Sequence, residues 1–593
     1  MPRLLPLLTL FFLGISLVAA PGQRTLGMFD LGEGKNKSSV EVVSVFSALP
    51  PHGYAPLRLR LRNGTDTDRT WVVRIGARND FPYTGGDAFE STFRLAATRN
   101  SETVHDIVAP IPTLFESGRG YKSVNLEVRL SAPPFGEHST RSSTSTPHDW
   151  PVIALSTAIK DKNLLTLNDT IDKKRSGTSE FGISFDPGDL PSDWRAYTGL
   201  DFLLISDDEW VSLAPGARTA IVDWMLLGGD LHIYSANDAT TLDALGIPGA
   251  TGLGGRDLFP WDGANLDAEA TVSRYSSLMP GNRKSVVVGT HYSKWSLHNA
   301  LGERSFGSWQ VAVILVLFGV LVGPVNLFVL AKPGQRHRLF ITTPIISLGT
   351  SLILVVLILF QDGTGGTGRR FAFLELRPDQ RKAYLIQEQV ARTGVIFRTS
   401  FDLEDAAFMS PVVLPRSPWA STTTDHNRPS LGYSASGATF GGDWFQSRKE
   451  QGHYLESVRP TRARLELVPP DNPPAGTDTP ADAAPTVVSS IEFPLDSLHY
   501  RNPAGDFFRS PGPVATGEKT TLEPVGSEEF YKAIDGAASL ASESLHTKIR
   551  KLCSTEGTFF AVARSATPMV ATLPSIGWVD DRALVHGPVE PAP

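Results

Sequence analysis

Two long apolar segments without a charged residue constrain this chain more than any other feature. They are WQVAVILVLFGVLVGPVNLFVLA at 309–331 and LFITTPIISLGTSLILVVLILF at 339–360. At about 1.5 Å per helical residue, each is long enough to cross a hydrocarbon core about 30 Å thick. Uncharged runs of this length are rare in soluble domains, so the sequence predicts two transmembrane helices, with the lipid bilayer as a partner.

The seven residues between these segments, KPGQRHR at 332–338, form a short basic loop. Basic residues in short loops stay on the cytoplasmic side, so Lys332, Arg336 and Arg338 place the loop inside and both flanking regions outside. The N terminus, MPRLLPLLTLFFLGISLVAAPG, is typical of a signal peptide covering 1–20. We therefore expect a protein of a bacterial-type plasma (inner) membrane with extracytoplasmic soluble domains, and leave cleavage of the signal open.

Composition excludes several classes of function. Lys+Arg number 55 against 62 Asp+Glu, the net charge is −7 and no long basic run occurs, so nucleic acid is not an expected partner. The single cysteine, Cys553, excludes an intrachain disulfide framework and a multi-cysteine zinc site. The histidines are scattered without the spacing of metal ligands. We therefore predict no metal site and no cofactor.

Alternating residues near the N terminus predict an antiparallel sheet. In PLRLRLRN, from Pro56 to Asn63, leucine alternates with arginine. Strict alternation gives a strand one apolar face and one polar face. YKSVNLEVRLSA repeats the pattern further on, and we predict a β-sandwich over 38–140. The polar stretch HSTRSSTSTPHD, at 138–149, is interpreted as a linker.

Between 150 and 305, short apolar strands alternate with helices, which is typical of a parallel α/β layer. The stretch GLDFLLISDDEWVSLAPGARTAIVDWMLLGGDLHIYSA, at 199–236, contains an aspartate-led strand, a helix, a Gly-Gly stop and a further strand. It resembles the class I glutamine amidotransferase-like, flavodoxin-like domains. With the apolar pair that follows, the chain also resembles a group of uncharacterised bacterial membrane proteins. That resemblance implies an amidotransferase-like α/β domain before a transmembrane hairpin, and no known activity.

The resemblance does not extend to catalysis. In the amidotransferase family a nucleophilic cysteine stands on the tight turn after such a strand, whereas this chain has YSANDATT there. Ser235 could replace the cysteine, with His291 or His298 as the base, so an envelope hydrolase is an alternative. Because the glycine-tight nucleophile elbow is absent, we predict that the chain is not an enzyme and has no catalytic residues.

The region after the second apolar segment is again β-patterned. GTGGTG at 363–368 matches the letters of the dinucleotide-binding fingerprint, but that fingerprint works only between a strand and a helix. We therefore interpret 361–370 as a linker and 371–593 as a β-rich extracytoplasmic domain. A Pro-rich insert near 468–486 interrupts this domain, and 527–552 has the composition of a helix.

Small residues recur at four-residue spacing in both apolar segments. Gly319 and Gly323 form a G-x-x-x-G pair in the first segment, and Ser347 and Ser351 form a similar pair in the second. Such faces let two helices approach closely. We predict that they clamp the hairpin together, with self-association as the second use.

Two further residues affect the first membrane helix. Pro324 is expected to kink it, because a proline has no N–H to donate to the carbonyl of Val320. Asn326 is expected to hydrogen-bond locally near the inner surface. Neither segment contains an ionisable residue, which argues against a transporter or a proton path.

The predicted fold class is a multidomain α+β membrane protein: N-terminal β-sandwich, flavodoxin-like α/β domain, two-helix transmembrane hairpin and β-rich C-terminal domain. The predicted role is a non-catalytic scaffold or interaction protein of the bacterial cell envelope, with other envelope or membrane proteins as partners. A carbohydrate- or peptide-binding module is a further alternative. It would need an exposed aromatic groove, to which Trp295, Trp419 and Trp444 could contribute.

Overall fold

The structure is a computed structural model. It describes residues 23–34, 37–80, 88–112, 122–146, 150–174, 180–249, 253–278, 295–302, 308–330, 334, 336–403, 406–412, 414, 431–468 and 484–591. The signal segment and most of the Pro-rich insert lie outside these residues. The described part is rich in β-sheet and contains two long apolar helices, which confirms the coarse fold class.

Eight strands in the first part of the chain form two sheets that pack face to face. They are β1 (Arg24–Leu31), β2 (Ser38–Ser44), β3 (Tyr54–Asn63), β4 (Arg69–Asp80), β5 (Ala88–Ala97), β6 (Ser101–Pro110), β7 (Lys122–Ser131) and β8 (Glu137–Thr146). The orders are β1-β2-β3-β6 and β8-β7-β4-β5. The leucines of β3 are fully buried between the sheets, as alternation along a strand requires. The polar stretch interpreted as a linker instead forms most of β8, which pairs with β7.

The next segment forms a five-stranded parallel sheet. Its elements are β9 (Ile153–Ser156), α1 (Thr157–Lys174), β10 (Ile183–Phe185), β11 (Phe202–Ser206), α2 (Asp207–Ser212), α3 (Pro215–Leu226), β12 (Asp230–Ser235), β13 (Gly255–Pro260), α4 (Ala268–Leu278) and α5 (Ser296–Asn299). The strand order is β10-β9-β11-β12-β13. α1 and α4 pack on one face of the sheet and α3 on the other. In doubly wound sheets of this order, ligands bind where the order reverses, here between β9 and β11.

The Gly-Gly pair after α3 lets the chain turn tightly beneath Trp224. Gly228 has φ 118°, a conformation that favours glycine. A Cβ on Gly229 would lie 2.1 Å from the Trp224 ring. The turn from α3 into β12 therefore requires glycine at both positions.

Two helices are long and apolar enough to cross a membrane, Ala312–Leu330 and Arg336–Val356. Only 6% of the apolar window in the first, and 0% in the second, is buried inside the protein. The core helix of a soluble domain would be mostly buried, so these helices differ from core helices. Of the basic residues of the loop, Arg336 and Arg338 are exposed, and Lys332 lies outside the described residues.

The first membrane helix changes its winding in the middle. α6 covers Ser308–Val320, a π-helix continues over Leu321–Leu330, and α7 covers Leu339–Asp362. The change follows Val320, whose carbonyl has no N–H donor at Pro324. The structure shows a change to π winding just before Pro324, and the predicted kink stays a prediction.

A buried asparagine joins the two membrane helices. Asn326 is 0% exposed, its amide donates to Thr343 Oγ1 at 2.9 Å, and Thr342 Oγ1 donates to its Oδ1 at 2.6 Å. The asparagine thus bonds across the hairpin, whereas a local bond was expected. Interhelical hydrogen bonds of this kind stabilise helix pairs in membranes.

The small-residue pairs do not form the predicted clamp. A Cβ on Gly319 or Gly323 would meet no atom within 4 Å, so neither glycine lies at a close contact with α7. Ser347 is half-buried and Ser351 is exposed. The hairpin closes nearer to its loop, where the π-helix meets α7. Self-association through the glycine pair stays a prediction.

The described residues after the hairpin are β-rich and include the helices α8 and α9. Its elements are β14 (Gly366–Arg377), β15 (Lys382–Thr393), β16 (Phe401–Asp402), β17 (Ala407–Val412), β18 (Gly432–Ser436), β19 (Thr439–Gly442), β20 (Glu450–Pro460), β21 (Leu465–Val468), β22 (Thr486–Ser489), β23 (Ser497–Arg501), β24 (Phe507–Arg509), β25 (Lys519–Thr521), β26 (Glu523–Pro524), α8 (Ser527–Ala537), α9 (Glu543–Cys553), β27 (Thr558–Ala563), β28 (Ile576–Trp578) and β29 (Arg582–Pro591). The main sheet has the order β17-β20-β15-β14-β29-β27-β23-β24-β26.

One local expectation in this part, the length of the linker, is wrong. The predicted linker at 361–370 is much shorter, because α7 extends to Asp362 and β14 already begins at Gly366. The second half of GTGGTG therefore lies in a strand of the main sheet, where no helix follows it. The helical segment at 527–552 is divided into α8 and α9, since residues 538–542 leave the helix.

Strands from the β-rich part complete a sheet of the first part. β18 pairs in parallel with β5, and the sheet continues as β8-β7-β4-β5-β18-β19-β16. This sheet therefore extends three strands beyond β5. The sandwich is built from two distant parts of the chain, beyond the 38–140 boundaries read from the sequence.

The α/β segment and the β-rich part share one hydrophobic core, although the membrane hairpin separates them in sequence. Leu203 of β11 and Trp224 of α3 belong to the same buried cluster as Phe373 of β14 and Phe530 of α8. The parts before and after the hairpin therefore pack into one body, from which the two hairpin helices extend.

Candidate functional site

The carboxyl end of the parallel sheet is the first place to examine, because doubly wound sheets bind ligands there. β9 ends at Ser156 and β11 at Ser206, and α1 and α2 begin at the next residues. The N terminus of α1 directs free backbone N–H groups toward this crevice, which favours an anion.

Glu209 occupies that anion position. Its Oε1 accepts a hydrogen bond from Ala158 N, in the first turn of α1, at 3.0 Å. Its Oε2 accepts hydrogen bonds from Ser206 N at 3.2 Å and from Ser206 Oγ at 3.0 Å, within a capping box at the start of α2. The chain therefore supplies its own carboxylate where a phosphate or carboxylate ligand would otherwise bind.

Ser235, the alternative nucleophile, stands at the end of β12 and is 4% exposed. Its Oγ donates to Asp207 Oδ2 at 2.5 Å and accepts from Asn237 N at 3.0 Å. His298 is bonded elsewhere, to Glu450 at 3.0 Å, and His291 lies outside the described residues. Ser235 is thus held by a carboxylate, and the structure does not bring it together with His298.

Two reactive residue types in the core are inert. His232 of β12 is buried, its Nδ1 lies 2.6 Å from Tyr275 Oη, and burial lowers its pKa to about 3. Cys553 is buried and burial raises its pKa well above the usual range of a thiol, so the thiolate is disfavoured. Neither side chain has the exposure that a nucleophile or a general base needs.

The tryptophans proposed for an aromatic groove do not form one. Trp295 and Trp444 are each 1% exposed, and Trp419 lies outside the described residues. Trp295 Nε1 donates to Glu388 Oε2 at 3.0 Å in the interior. The prediction of an exposed groove at Trp295 and Trp444 is therefore wrong.

A cleft of 520 Å³ opens where the three soluble parts of the chain meet. Its volume lies within the range of sites that bind small ligands or short peptide segments. Residues from each part line it, including Phe93, Asp106, Asp193, Arg195, Ala407 and Phe440. The sequence analysis missed this cleft, because no local pattern links residues so far apart in the chain.

Ion pairs order the polar rim of the cleft. Arg195 lies 2.6 Å from Asp193, and Arg58 lies 2.7 Å from Asp106. Burial raises the pKa of Tyr54, which also lines the cleft, to about 12, so its hydroxyl stays protonated. The cleft offers both polar contacts, from side chains such as Asp106, Ser192 and Arg195, and apolar area.

No protein-family model matches the chain, and no curated protein matches it. Among solved structures, the sporulation control protein Spo0M of Bacillus subtilis is 15% identical over 19% of this chain and 51% of its own, with a TM-score of 0.14. A cycloisomaltooligosaccharide glucanotransferase of Paenibacillus sp. is 11% identical over 36% of this chain and 28% of its own, with a TM-score of 0.17. The chain thus spans about half, or less, of these two proteins. At these scores the similarities support no statement about fold or activity.

Proposed function

We propose that this chain is a membrane-anchored, non-catalytic scaffold or interaction protein of the bacterial cell envelope. Its amidotransferase-like α/β domain serves as a structural part, and its partners are other envelope or membrane proteins. The observation that carries the proposal is the hydrophobic core shared by the parts before and after the membrane hairpin. A single body anchored by two helices is suited to presenting a fixed surface to partners.

A buried ion pair supports this joint between α3 and β15. Lys382 Nζ lies 2.7 Å from both carboxylate oxygens of Asp223, and Tyr384 Oη donates to Asp223 Oδ1 at 2.8 Å. Burial raises the pKa of Asp223, and the Lys382 ammonium opposes that shift. Charge-assisted hydrogen bonds have defined geometry, so they fix the orientation of the two parts.

The segment that leads into the first membrane helix is also bonded to the β-rich part. Arg392 of β15 donates to the backbone carbonyls of Leu301 and Gly302. Glu450 of β20 accepts from Arg392 at 2.7 Å and bonds His298 at 3.0 Å. A hydrogen bond from His298 and a weaker effect of the one from Arg392 lower the pKa of Glu450. Arg392 and Glu450, which follow the membrane hairpin in sequence, thus hold the segment that precedes it.

In this proposal, the shared hydrophobic core also determines the membrane topology. Parts that share a core must lie on the same side of the membrane, and the basic loop at 332–338 assigns the opposite side to the cytoplasm. The body is therefore extracytoplasmic, in a bacterial-type inner membrane.

Cysteine labelling in intact cells tests this topology. In a Cys553→Ala background, Lys173→Cys and Glu518→Cys should react fully with a membrane-impermeant maleimide, because both positions are exposed on the body. Gln335→Cys, in the loop, should react only after the membrane is permeabilised. Labelling of the loop alone, or of positions 173 and 518 on opposite sides, would contradict the proposal.

The Ser235→Ala variant tests the non-catalytic half of the proposal. Loss of the hydrogen bond to Asp207 should cost about 1 kcal/mol of stability and leave partner binding unchanged. A fluorophosphonate probe should label neither protein, and crosslinking in native membranes should recover the same partners with both. Labelling of the wild type that disappears in the variant would favour the hydrolase instead.

A further inference from the structure

One wall of the cleft is an unpaired strand edge. β6 is the last strand in the order β1-β2-β3-β6, and no strand within the described residues pairs with its outer side. The opposite sheet continues under this edge: β5 faces β6, and β18, β19 and β16 extend beyond it. One sheet of the sandwich therefore ends at β6, while the other continues past it. The cleft lies beside the β6 edge, and Ala435 of β18 and Phe440 of β19 form part of the floor of the cleft.

The hydrogen bonding of β6 shows which backbone groups face the cleft. The β3–β6 register places Gly53 opposite Ile111, and Ile111 N donates to Gly53 O at 2.9 Å. Hydrogen-bonded and non-hydrogen-bonded pairs alternate in an antiparallel ladder. Val108 therefore belongs to a non-hydrogen-bonded pair, and its N–H and C=O point away from β3. Its partner in the register is Pro56, which has no N–H to donate.

The same alternation applies to Asp106, two residues before Val108. Both residues line the cleft, so two backbone N–H groups and two carbonyl groups on one strand edge face it. This is the set of groups that an added strand would pair with.

Two of the other edge strands carry features that hinder strand addition. β1 carries a bulge between Thr25 and Gly27, and β8 consists of polar residues, EHSTRSSTST. β6 has neither feature, and Val104 on it is 54% exposed. An edge strand whose N–H and C=O groups have no partner is a template for pairing with another chain.

The charges around the cleft favour a basic over an acidic guest. Three carboxylates, Asp106, Asp189 and Asp193, face two guanidinium groups, Arg58 and Arg195, in the ion pairs of the rim. These five side chains, all among the described residues, therefore carry one net negative charge. Ala435, Ala438 and Phe440 give the cleft an apolar floor that the apolar side chains of a guest can contact.

We propose that the free edge of β6 binds an extended polypeptide segment of a partner protein as an added strand, over the floor formed by β18 and β19. The segment has apolar side chains at alternate positions and a basic residue at its end. Main-chain hydrogen bonds provide affinity, and the floor selects the side chains. This inference rests on the proposed interaction function and specifies its partner chemistry.

The test is binding of a defined peptide to the full-length chain in nanodiscs. The probe is fluorescent acetyl-KVTVTVK-amide, followed by fluorescence anisotropy. Val108→Pro removes the N–H that faces the cleft and leaves the β3 pairing intact, because that N–H makes no bond to β3. We expect about tenfold weaker binding to this variant. The matched variant Val108→Thr keeps the N–H and a β-branched side chain, and should bind as the wild type does.

A second probe separates main-chain pairing from side-chain binding. The same peptide with N-methylated alternate amides should lose binding to the wild type, and the glutamate analogue EVTVTVE should bind more weakly than the lysine peptide. Equal binding to wild type and Val108→Pro, or no binding to wild type, would overturn the proposal. So would an oligosaccharide such as maltoheptaose that binds the cleft and is unaffected by Val108→Pro.

Self-association is measured in parallel by light scattering. If Val108→Pro converts a dimer into a monomer, the guest is a second copy of this chain, and the partner-peptide proposal is wrong. The cysteine-labelling result does not depend on the cleft. Failure of the peptide test with correct labelling therefore leaves the proposed anchored body standing.

Discussion

Replacing Glu388 with alanine is expected to destabilise the protein by about 3–5 kcal/mol. Glu388 is 0% exposed and accepts hydrogen bonds from Trp295 Nε1 at 3.0 Å, Ser542 N at 2.8 Å and Ser542 Oγ at 2.5 Å. Alanine would leave these buried donors without an acceptor. The loss would also separate the segment before the first membrane helix from the N terminus of α9.

Chemical denaturation and hydrogen exchange together measure this effect. We expect the denaturation midpoint to fall and the amides of 295–302 and 542–553 to lose protection in Glu388→Ala. Glu528→Ala serves as the control, because Glu528 is exposed and pairs only with Lys532 on the surface of α8. Unchanged protection of residues 295–302 in Glu388→Ala would show that Glu388 does not couple the two segments.

Acidification from pH 6.5 to 4 is the second change with a large expected effect. Burial lowers the pKa of His232 to about 3 and the pKa of His453, His499 and His586 to about 4. In the unfolded chain a histidine takes up its proton near pH 6.5. The unfolded state therefore binds more protons below that pH, and stability that is complete above pH 6.5 is lost as the pH falls toward 4.

Two carboxyl groups act in the opposite direction. Burial raises the pKa of Asp230 to about 6 and also raises the pKa of Asp223, so both gain stability on acidification. Because the four histidines outnumber the two carboxyl groups, we expect the free energy of unfolding to fall between pH 6 and 4, with each histidine contributing at most about 1.4 kcal/mol per pH unit.

Denaturation midpoints at a series of pH values check this expectation. His453→Gln should reduce the slope of stability against pH by about 1.4 kcal/mol per pH unit, since it removes one titrating ring. Stability that does not depend on pH between 6.5 and 4 would mean that the buried rings are protonated without cost.

Local chemistry determined which kinds of element this chain forms. The leucine–arginine alternation before Asn63 predicts β3, and the uncharged runs at 309–331 and 339–360 predict the two membrane helices. The Gly-Gly pair marks the end of α3, and the missing N–H of Pro324 marks the change of winding in the first membrane helix. In each case the cause lies within a few residues of its effect, so the sequence alone contains it.

The candidate sites depend on contacts between distant residues, which no local period encodes. Glu209 of α2 accepts a hydrogen bond at the N terminus of α1, and the buried Trp295 donates one to Glu388. A Cβ on Gly319 would meet no atom within 4 Å, so this glycine lies at no close helix contact. No pattern in the sequence predicts the cleft, because its lining residues are far apart in the chain. The sequence by itself determined strands, helices and two helices long and apolar enough to cross a membrane, because these follow from local periodicity and hydrophobicity. Only the tertiary structure decided that β18 pairs with β5, that one core spans the hairpin and that no strand of the described residues covers the outer edge of β6, because those pairings depend on where packing brings distant strands together.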